Sequence, residues 1–288
     1  MADHKNGKWA SEIIALQQDD GHWGYFHTLS DPTPQQPITT EQALRRLRML
    51  GFTKDDPVVA KALSYMHDCL KGRKEIPDRR EKLHNWDIFT ALMMSTWIRK
   101  FTADDPVANS VADKWSTVIT AAFASGYYDP ASYVETYRKI FGLKPRGGRL
   151  TDFVSFYPIS LLTGEINRQI EKAYFDYVLS HEAGIYYIHG RSLLHLPGEF
   201  KSVHASRYLA AIEILSEYPN EYCKKRLKFV SDWLNDNRDA DGCWDMGSAA
   251  RDGVYFPLSD SWRSPLTRKQ DCTDRIEKIL LSLHSLIS

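Results

Sequence analysis

The stretch FTKDDPV at residues 52–58 recurs almost unchanged as FTADDPV at residues 101–107. In each copy an aspartate, Asp56 or Asp105, stands directly before a proline. Aspartate is a favoured N-cap, and proline is well tolerated at the first helical position because an N–H there would have no partner within the helix. The repeat therefore predicts two helices that begin in the same way, in a chain built from repeated helical units.

The regions that follow His84 and Asp105 differ in the distribution of their apolar residues. Residues 86–98 are apolar nearly all round, which is typical of a helix enclosed by other helices. After Asp105 the apolar residues recur at spacings of three and four, which gives the one-sided stripe of a surface helix. These residues are Val107, Val111, Trp115, Val118, Ile119 and Ala122. The sequence therefore predicts both inner and outer helices.

This alternation extends along the chain. Inner helices are predicted to begin near Thr40, His84, Arg149, Ser202 and Arg268, and outer helices near Lys8, Asp56, Asp105, Gly164 and Asn220. A further partial helix is predicted at residues 131–141. The sequence lacks the sustained period-two alternation of a sheet. We therefore predict an all-α fold, a single domain over residues 1–288 with about five to six helix pairs, for which an open α-solenoid is the alternative to a closed ring.

The composition limits the classes of partner. Lysine and arginine together number 37, as do aspartate and glutamate, so the balanced charge gives no general attraction to nucleic acid. No apolar run approaches the ~18 residues of a membrane-spanning helix, and the first residues lack the apolar region of a signal peptide. Four cysteines, far apart and without a CxxC pair, are expected to be reduced thiols. We therefore expect a cytoplasmic protein that binds no nucleic acid and has no transmembrane segment.

Two short motifs near the ends of the chain carry a resemblance to a known family. QQDDGHW at residues 17–23 fits the pattern QxxDGxW, and RDADGCW at residues 238–244 fits it except for Arg238. The pattern resembles the QW motif of squalene-hopene and oxidosqualene cyclases, which the β subunits of protein prenyltransferases share loosely. Residues 126–128 and 184–186 resemble eroded copies. The resemblance implies a terpene cyclase-like or prenyltransferase-like α/α toroid, a ring in which inner and outer helices alternate.

The motif residues are expected to be structural. A glycine can end the outer helix with a positive φ, a carboxylate can accept hydrogen bonds from nearby backbone N–H groups, and an indole can pack between adjacent helix pairs. This assigns a stapling role to Asp20, Gly21 and Trp23 in the first motif and to Asp241, Gly242 and Trp244 in the second.

The resemblance also implies a function. It implies a central aromatic cavity that binds an isoprenoid or similar apolar ligand, including a diphosphate-bearing one. The DxDD motif with which class II cyclases protonate their substrates is absent from the sequence, so catalysis is left open. Two alternatives therefore stand beside a cyclase or prenyltransferase-like enzyme. One is a non-catalytic toroid that acts as a binding or assembly module, and the other is a carbohydrate-active toroid with paired carboxylates in an open groove.

The nearest equivalent of a metal site is the pair Asp271 and Cys272. Prenyltransferase β subunits hold zinc through an Asp-x-Cys pair and a distant histidine, whereas the two residues are adjacent here. Adjacent residues on a helix point about 100° apart, which does not favour joint binding of one tetrahedral metal ion. We therefore expect no cofactor, with zinc or magnesium as the alternative.

Polar residues at the starts of inner helices are the candidates for catalysis, because these ends surround the mouth of the cavity in a toroid. His84 and Asp87 lie about one turn apart and are candidates for a general acid/base and its orienting partner. Asp87 or Asp152 is the candidate for a carboxylic acid whose pKa an aromatic cavity raises. His204 completes this set. For each of them, a cap or another structural contact is the alternative.

The segment before the third inner helix is a candidate anion site. Arg146 and Arg149 flank two glycines at residues 147–148. Two guanidinium groups and the backbone N–H groups of a helix start could converge there on a phosphate. A plain glycine loop is the alternative.

Three further residues are candidates for ligand binding, namely Trp86, Tyr157 and Arg207. Arg207 lies three residues after His204, so the two share one helical face. An ion pair between Arg207 and Asp274 would join two inner helices and serve the structure alone.

Overall fold

The fold is all-helical in the computed structural model, which describes residues 4–82, 84–146 and 153–284. Across these ranges it contains twelve α-helices, one 3₁₀ turn at Ser248–Ala250 and no β-strand. The helices are α1 (Lys8–Ala15), α2 (Thr40–Met49), α3 (Pro57–Leu70), α4 (Trp86–Arg99), α5 (Pro106–Ala122), α6 (Pro130–Phe141), α7 (Phe156–Leu161), α8 (Arg168–Ser180), α9 (Val203–Ser216), α10 (Glu221–Arg226), α11 (Lys228–Asp236) and α12 (Pro265–His284). No helix in the described ranges has both the length and the apolar character needed to cross a membrane.

Six helix starts in the described residues lie at or directly after their predicted positions. This holds for α1, α2, α3, α5, α9 and α10. Three starts are displaced: α4 begins at Trp86 instead of His84, α8 begins at Arg168, after its cap Asn167, instead of Gly164, and α12 begins at Pro265 instead of Arg268. The helix from Asn220 is interrupted at Leu227, which separates α10 from α11. The predicted start near Arg149 lies outside the described residues.

The chain forms two compact units. Unit 1 comprises Met1–Ala112 with Leu258–Asp260, and unit 2 comprises Asp113–Pro257 with Ser261–Ser288. The division between them falls within α5.

The core of unit 1 includes α4, which packs on α3, while α1 packs on α2. As predicted for an inner helix, α4 buries nearly every residue from Phe89 to Ile98. Trp97 is fully enclosed, and its Nε1 donates a hydrogen bond to Oε1 of the buried Glu41 at 2.6 Å. The second oxygen of Glu41 accepts the Thr28 N–H at 2.7 Å. Both carboxylate oxygens therefore have donors, which offsets the cost of burying the group.

The two copies of the repeated stretch start their helices with the same residues but use the aspartate differently. Asp105 Oδ1 accepts the N–H groups of Val107 and Ala108, each at 2.9 Å, so that it caps α5. Asp56 makes no such bond to α3 and instead accepts the Thr53 N–H at 2.7 Å and pairs with Lys5. One sequence signal therefore marks two helix starts without fixing how the side chain stabilises them.

The core of unit 2 has two parts, α9 and a cluster of aromatic rings. Most residues of α9 are buried, and α9 contacts α7, α10 and α12. The rings of the cluster touch one another at centroid distances between 4.9 and 6.2 Å, mostly tilted or edge-to-face. Its members are Phe123, Tyr128, Tyr133, Phe153, Tyr174 and Tyr177. Much of the aromatic content of unit 2 thus fills a core.

A buried arginine joins α9 to α12. Arg275 donates to Oε1 of Glu213 through Nε at 2.7 Å and to Oε2 through Nη2 at 3.1 Å, and its Nη1 reaches Ser206 Oγ at 3.0 Å. Its guanidinium also lies 4.9 Å and 4.8 Å from the ring centroids of Tyr255 and Phe256. This bridge replaces the one expected between Arg207 and Asp274.

Arg207 and Asp274 lie in different surroundings. Arg207 is exposed, whereas Asp274 is buried and accepts a hydrogen bond from Gln270 at 2.9 Å. The two inner helices are therefore joined by an ion pair, but by different partners.

Candidate functional site

The two QW-like motifs fold into the same turn. Trp23 and Trp244 are buried, and the indole N–H of each donates to the carbonyl ten residues earlier, Ile13 at 2.7 Å and Leu234 at 2.6 Å. Their backbone N–H groups donate to a threonine hydroxyl of an inner helix at 2.9 Å and 3.0 Å. The threonines are Thr40 of α2 and Thr273 of α12. Each tryptophan thus ties one helix to another of its own unit, α1 to α2 and α11 to α12.

Arg238 takes the place of glutamine in the second turn. In the first turn the Gln17 side-chain amide donates to the Gly21 carbonyl at 3.0 Å, and in the second Arg238 Nε donates to the Gly242 carbonyl at 2.6 Å. The Arg238 guanidinium also stacks 4.9 Å from the Trp244 ring centroid. Arginine therefore makes the same hydrogen bond and adds a cation–π contact.

The motif glycines and aspartates serve the same turns. Gly21 has a φ of +111°, and a Cβ there would collide with the Lys61 carbonyl oxygen. Asp20 pairs with His22 at 3.3 Å. Asp241 accepts the Cys243 N–H at 3.3 Å and pairs with Lys269 at 2.6 Å. All these contacts lie within the two turns or join a turn to a neighbouring helix.

The candidates at the start of α4 are not brought together. Asp87 is exposed and pairs with Arg80 at 2.7 Å, whereas His84 pairs with Glu81 at 3.1 Å and stacks on Phe89 at 4.9 Å. Trp86 also contacts the Phe89 ring. Asp87 therefore lies at the surface and not in the aromatic cavity expected from the sequence.

In the described residues, the side chains of the other predicted anion and metal sites do not converge on a common point. Asp152 and Arg149, with residues 147–148, lie outside the described residues, and Arg146 is exposed. Asp271 and Cys272 are buried; Asp271 accepts the Trp262 indole N–H at 2.6 Å, and Cys272 Sγ accepts the Met246 N–H at 3.5 Å. Within the described ranges there is no cluster of three or more side chains that could hold a metal ion.

Three of the predicted residues lie in or next to the lining of one cleft in unit 2. The cleft has a volume of about 370 Å³ and is lined by residues 183–190, Val154, His181 and Arg207. Tyr157 reaches it through Tyr187, at a ring distance of 5.3 Å, and His204 reaches it through His189, at 4.7 Å. We call this the Tyr187–His189 cleft.

The loop that forms the cleft is folded tightly. Tyr186 donates its N–H to the Val154 carbonyl at 3.1 Å and accepts the Phe156 N–H at 3.1 Å. A Cβ at Gly184 would collide with the carbonyl oxygens of His189 and Arg191, so only glycine fits there.

Backbone strain is concentrated at this cleft. Tyr187 has a φ of +73° and Phe153 a φ of +50°, and in the described residues no other non-glycine residue has a positive φ. Tyr187 lines the cleft, and Phe153 precedes the lining residue Val154. Such conformations cost about 1–3 kcal/mol each and gather at functional sites. The strain therefore marks the cleft independently of its side-chain chemistry.

Two histidines stand side by side at the cleft: His189 lines it, and His204 contacts the His189 ring. His189 is 4% exposed, and no described residue offers a hydrogen bond to its Nε2. Burial lowers the pKa of His189 to about 4, assisted by His204 and Arg191. Burial also lowers the pKa of His204, assisted by Arg191 and Arg207. Both imidazoles are therefore uncharged at neutral pH.

Two cationic groups adjoin this pair. Arg191 and Arg207 are exposed, and neither forms an ion pair with any described residue. The rings of Tyr186 and Tyr187, which also line the cleft, lie 3.9 Å apart. The lining of the cleft thus includes both basic and aromatic side chains.

A second, more open groove carries carboxylates, as a carbohydrate-active site would. It has a volume of about 440 Å³ and is lined by Glu199, Phe200, Lys201 and residues 236–239 with Asp245. Arg268 binds both oxygens of Asp245 at 2.7 Å and holds the pKa of that carboxyl below its usual value. Lys269 pairs with Asp239 at 2.8 Å. Asp239 and Asp245 are thus held as carboxylates in ion pairs, whereas a general acid has to carry a proton.

No family model matches the chain, and no curated protein or solved structure is significantly similar to it. What the fold and the site define is an all-helical protein with a half-buried, partly basic and partly aromatic cleft. Its function has to be argued from the residues of that cleft. Of these, the sequence singled out Tyr157, His204 and Arg207, and missed His189 and Arg191.

Proposed function

We propose that the protein binds an amphiphilic, anionic small molecule in the Tyr187–His189 cleft. The observation that carries this proposal is the pair of guanidinium groups, Arg191 and Arg207, which have no ion-pair partner among the described residues and flank two uncharged histidines. Two unpaired cations beside a recess attract a dense negative charge such as a phosphate or diphosphate.

The apolar and aromatic residues of the cleft indicate the chemistry of the rest of the ligand. Val154, Ile185 and Ile188 line the cleft together with Tyr186 and Tyr187. An apolar chain that lies on these groups leaves water, at about 25 cal/mol for each Å² buried. A volume of about 370 Å³ falls within the range of small-molecule sites, about 300–1,000 Å³. An isoprenoid diphosphate combines these two features, and it is the ligand class that we propose.

We extend the proposal to the arrangement of the helices. We place the helix pairs in an α/α toroid like that of terpene cyclases and prenyltransferases. The support is the pair of QW-like turns, in which Trp23 and Trp244 make the same two hydrogen bonds and Gln17 and Arg238 make a third.

Calorimetric titration with inorganic diphosphate and with farnesyl diphosphate tests the ligand class. Arg207→Gln and Arg191→Gln should each weaken diphosphate binding about tenfold or more, since a charge-assisted hydrogen bond contributes about 1.5–3 kcal/mol. Farnesyl diphosphate should bind more tightly than inorganic diphosphate because of its apolar chain. Arg263→Gln, at an exposed arginine outside the cleft, is the matched control.

A further variant separates the cleft from the anion site expected from the sequence. Arg146→Gln should leave the affinity unchanged if the diphosphate lies in the cleft. Binding that is lost in Arg146→Gln but kept in the two cleft variants would overturn the proposal, as would the absence of any binding by the native protein.

A further inference from the structure

The histidines of the cleft are unusual for a site that only holds an anion. A binding site gains most from a protonated imidazole, which adds a positive charge. Here burial and the neighbouring arginines keep both His189 and His204 uncharged. An uncharged imidazole is a proton acceptor, and this is the property that general base catalysis requires.

The pair is held in a defined geometry. His204 and Arg207 lie on the first turns of α9, and His189 and Arg191 lie on the loop before it. The Tyr208 hydroxyl donates to the Leu193 carbonyl at 2.9 Å and so ties this loop to α9. The His189 ring centroid lies 4.7 Å from that of His204 and 5.4 Å from that of Tyr208. Base and cations therefore share one rigid support.

We propose that the cleft hydrolyses the diphosphate that it binds, with His189 as the general base and His204 as a residue that positions it. This inference rests on the proposed function. Water attacks the terminal phosphorus, and His189 accepts the proton of that water. The bond between this phosphorus and the bridging oxygen breaks. The bridging oxygen leaves on the phosphate monoester, and the terminal group leaves as inorganic phosphate.

The arginines supply the second requirement of phosphoryl transfer. Negative charge on the oxygens of the transferred group has to be stabilised during the reaction, and guanidinium forks suit this task. Arg207 and His189 both line the cleft, and Arg191 lies close enough to both histidines to lower the pKa of each. When the anionic ligand is bound, its charge opposes that of the arginines. His189 then becomes a stronger base in the complex than in the free protein.

Release of inorganic phosphate from farnesyl diphosphate tests the inference. His189→Asn should lower kcat about 100-fold or more, the usual effect of losing a general base. Its affinity for inorganic diphosphate, measured by calorimetry, should stay within a few-fold of the native value. The matched control is His195→Asn, an exposed histidine of the same loop, which should leave kcat unchanged. Melting temperatures verify that the variants are folded.

The pH profile distinguishes positioning from a merely structural role. In the native protein kcat/KM should rise with pH through the pKa of His189, about 4 in the free protein, because the base must be uncharged. His204 contributes to the lowering of the His189 pKa, so His204→Asn should move this acid limb to higher pH. A structural role alone would change the activity without moving the limb.

The outcomes separate the two proposals. Diphosphate that binds with the expected response to Arg207→Gln but is not hydrolysed would overturn the inference and leave the proposed function intact. Hydrolysis that survives His189→Asn would also overturn it. Diphosphate that does not bind at all would overturn the proposed function itself.

Discussion

Arg275 offers a quantitative test of how unit 2 is held together. Its side chain is 1% exposed, whereas that of its partner Glu213 is 22% exposed. Removing one member of a buried ion pair costs about 3–5 kcal/mol, because the other charge is left uncompensated. In Arg275→Met the stranded charge belongs to Glu213, which water reaches in part, and methionine still fills most of the space between Tyr255 and Phe256. We therefore expect a loss of about 3 kcal/mol, at the low end of this range.

A double variant tests the cause of this loss of stability. In Arg275→Met/Glu213→Leu no charge is left behind, and replacing a whole buried pair by apolar residues is often nearly neutral. The double variant should therefore be more stable than the sum of the single losses predicts, by about 1 kcal/mol or more.

Urea unfolding followed by tryptophan fluorescence measures these free energies, provided that the urea dependence stays the same between variants. Arg263→Met, at an exposed arginine of unit 2, is the control and should change stability by about 0.5 kcal/mol at most. A loss below about 1 kcal/mol in Arg275→Met would refute the reasoning. Strict additivity in the double variant would do the same, since it would show that the two side chains do not stabilise each other.

Two further predictions concern the turns and caps. Gly21→Ala should lower stability by about 2 kcal/mol or more, because the new Cβ meets the Lys61 carbonyl at a φ of +111°, whereas Gly242→Ala meets only the movable Arg238 side chain and should cost about 1 kcal/mol. Equal melting temperatures of the two variants would contradict this ranking. Asp105→Ala should cost about 1–2 kcal/mol near neutral pH through loss of the cap on Val107 and Ala108. Although burial opposes it, hydrogen bonds from Ala108 and His67 hold the pKa of Asp105 below its usual value. Its contribution is therefore complete above the unfolded pKa of about 3.9 and is lost as the pH falls through the lower folded pKa. An Asp105→Ala deficit that persists undiminished in strong acid would show that the cap does not depend on the charge.

The helices could be predicted because their signals are local. The starts at Thr40, Pro57, Pro106 and Val203 depend on residues within one turn of the start, and α5 buries Trp115, Val118, Ile119 and Ala122 of the predicted stripe. The same holds for α6, predicted at residues 131–141: its cap Asp129 stands directly before Pro130 and accepts the Ala131 N–H at 3.0 Å. Local chemistry decides where a helix begins, so a sequence alone can show it.

The cleft could not be predicted in the same way, because its residues meet through tertiary contacts. The place of Asp87 at the start of an apolar helix predicts a position in the cavity, but Asp87 lies on the face that points to solvent, beside Arg80. His189 carries no signal in the sequence, because it stands in a loop and its neighbour His204 follows fifteen residues later. What brings His189 to His204 is the hydrogen bond from Tyr208 to Leu193, which no periodicity encodes.

The two QW-like turns explain why a resemblance in framework says little about chemistry. Gln17 and Arg238 differ in size and charge, yet each only has to donate one N–H to a glycine carbonyl. The indoles have an equally limited task, one hydrogen bond to the preceding helix and burial of the ring. None of the six motif residues lines the Tyr187–His189 cleft. The turns can therefore stay the same while the ligand of the cleft changes, and the turns can change while the ligand stays the same. The function that we propose therefore depends on His189, His204, Arg191 and Arg207, none of which belongs to either motif.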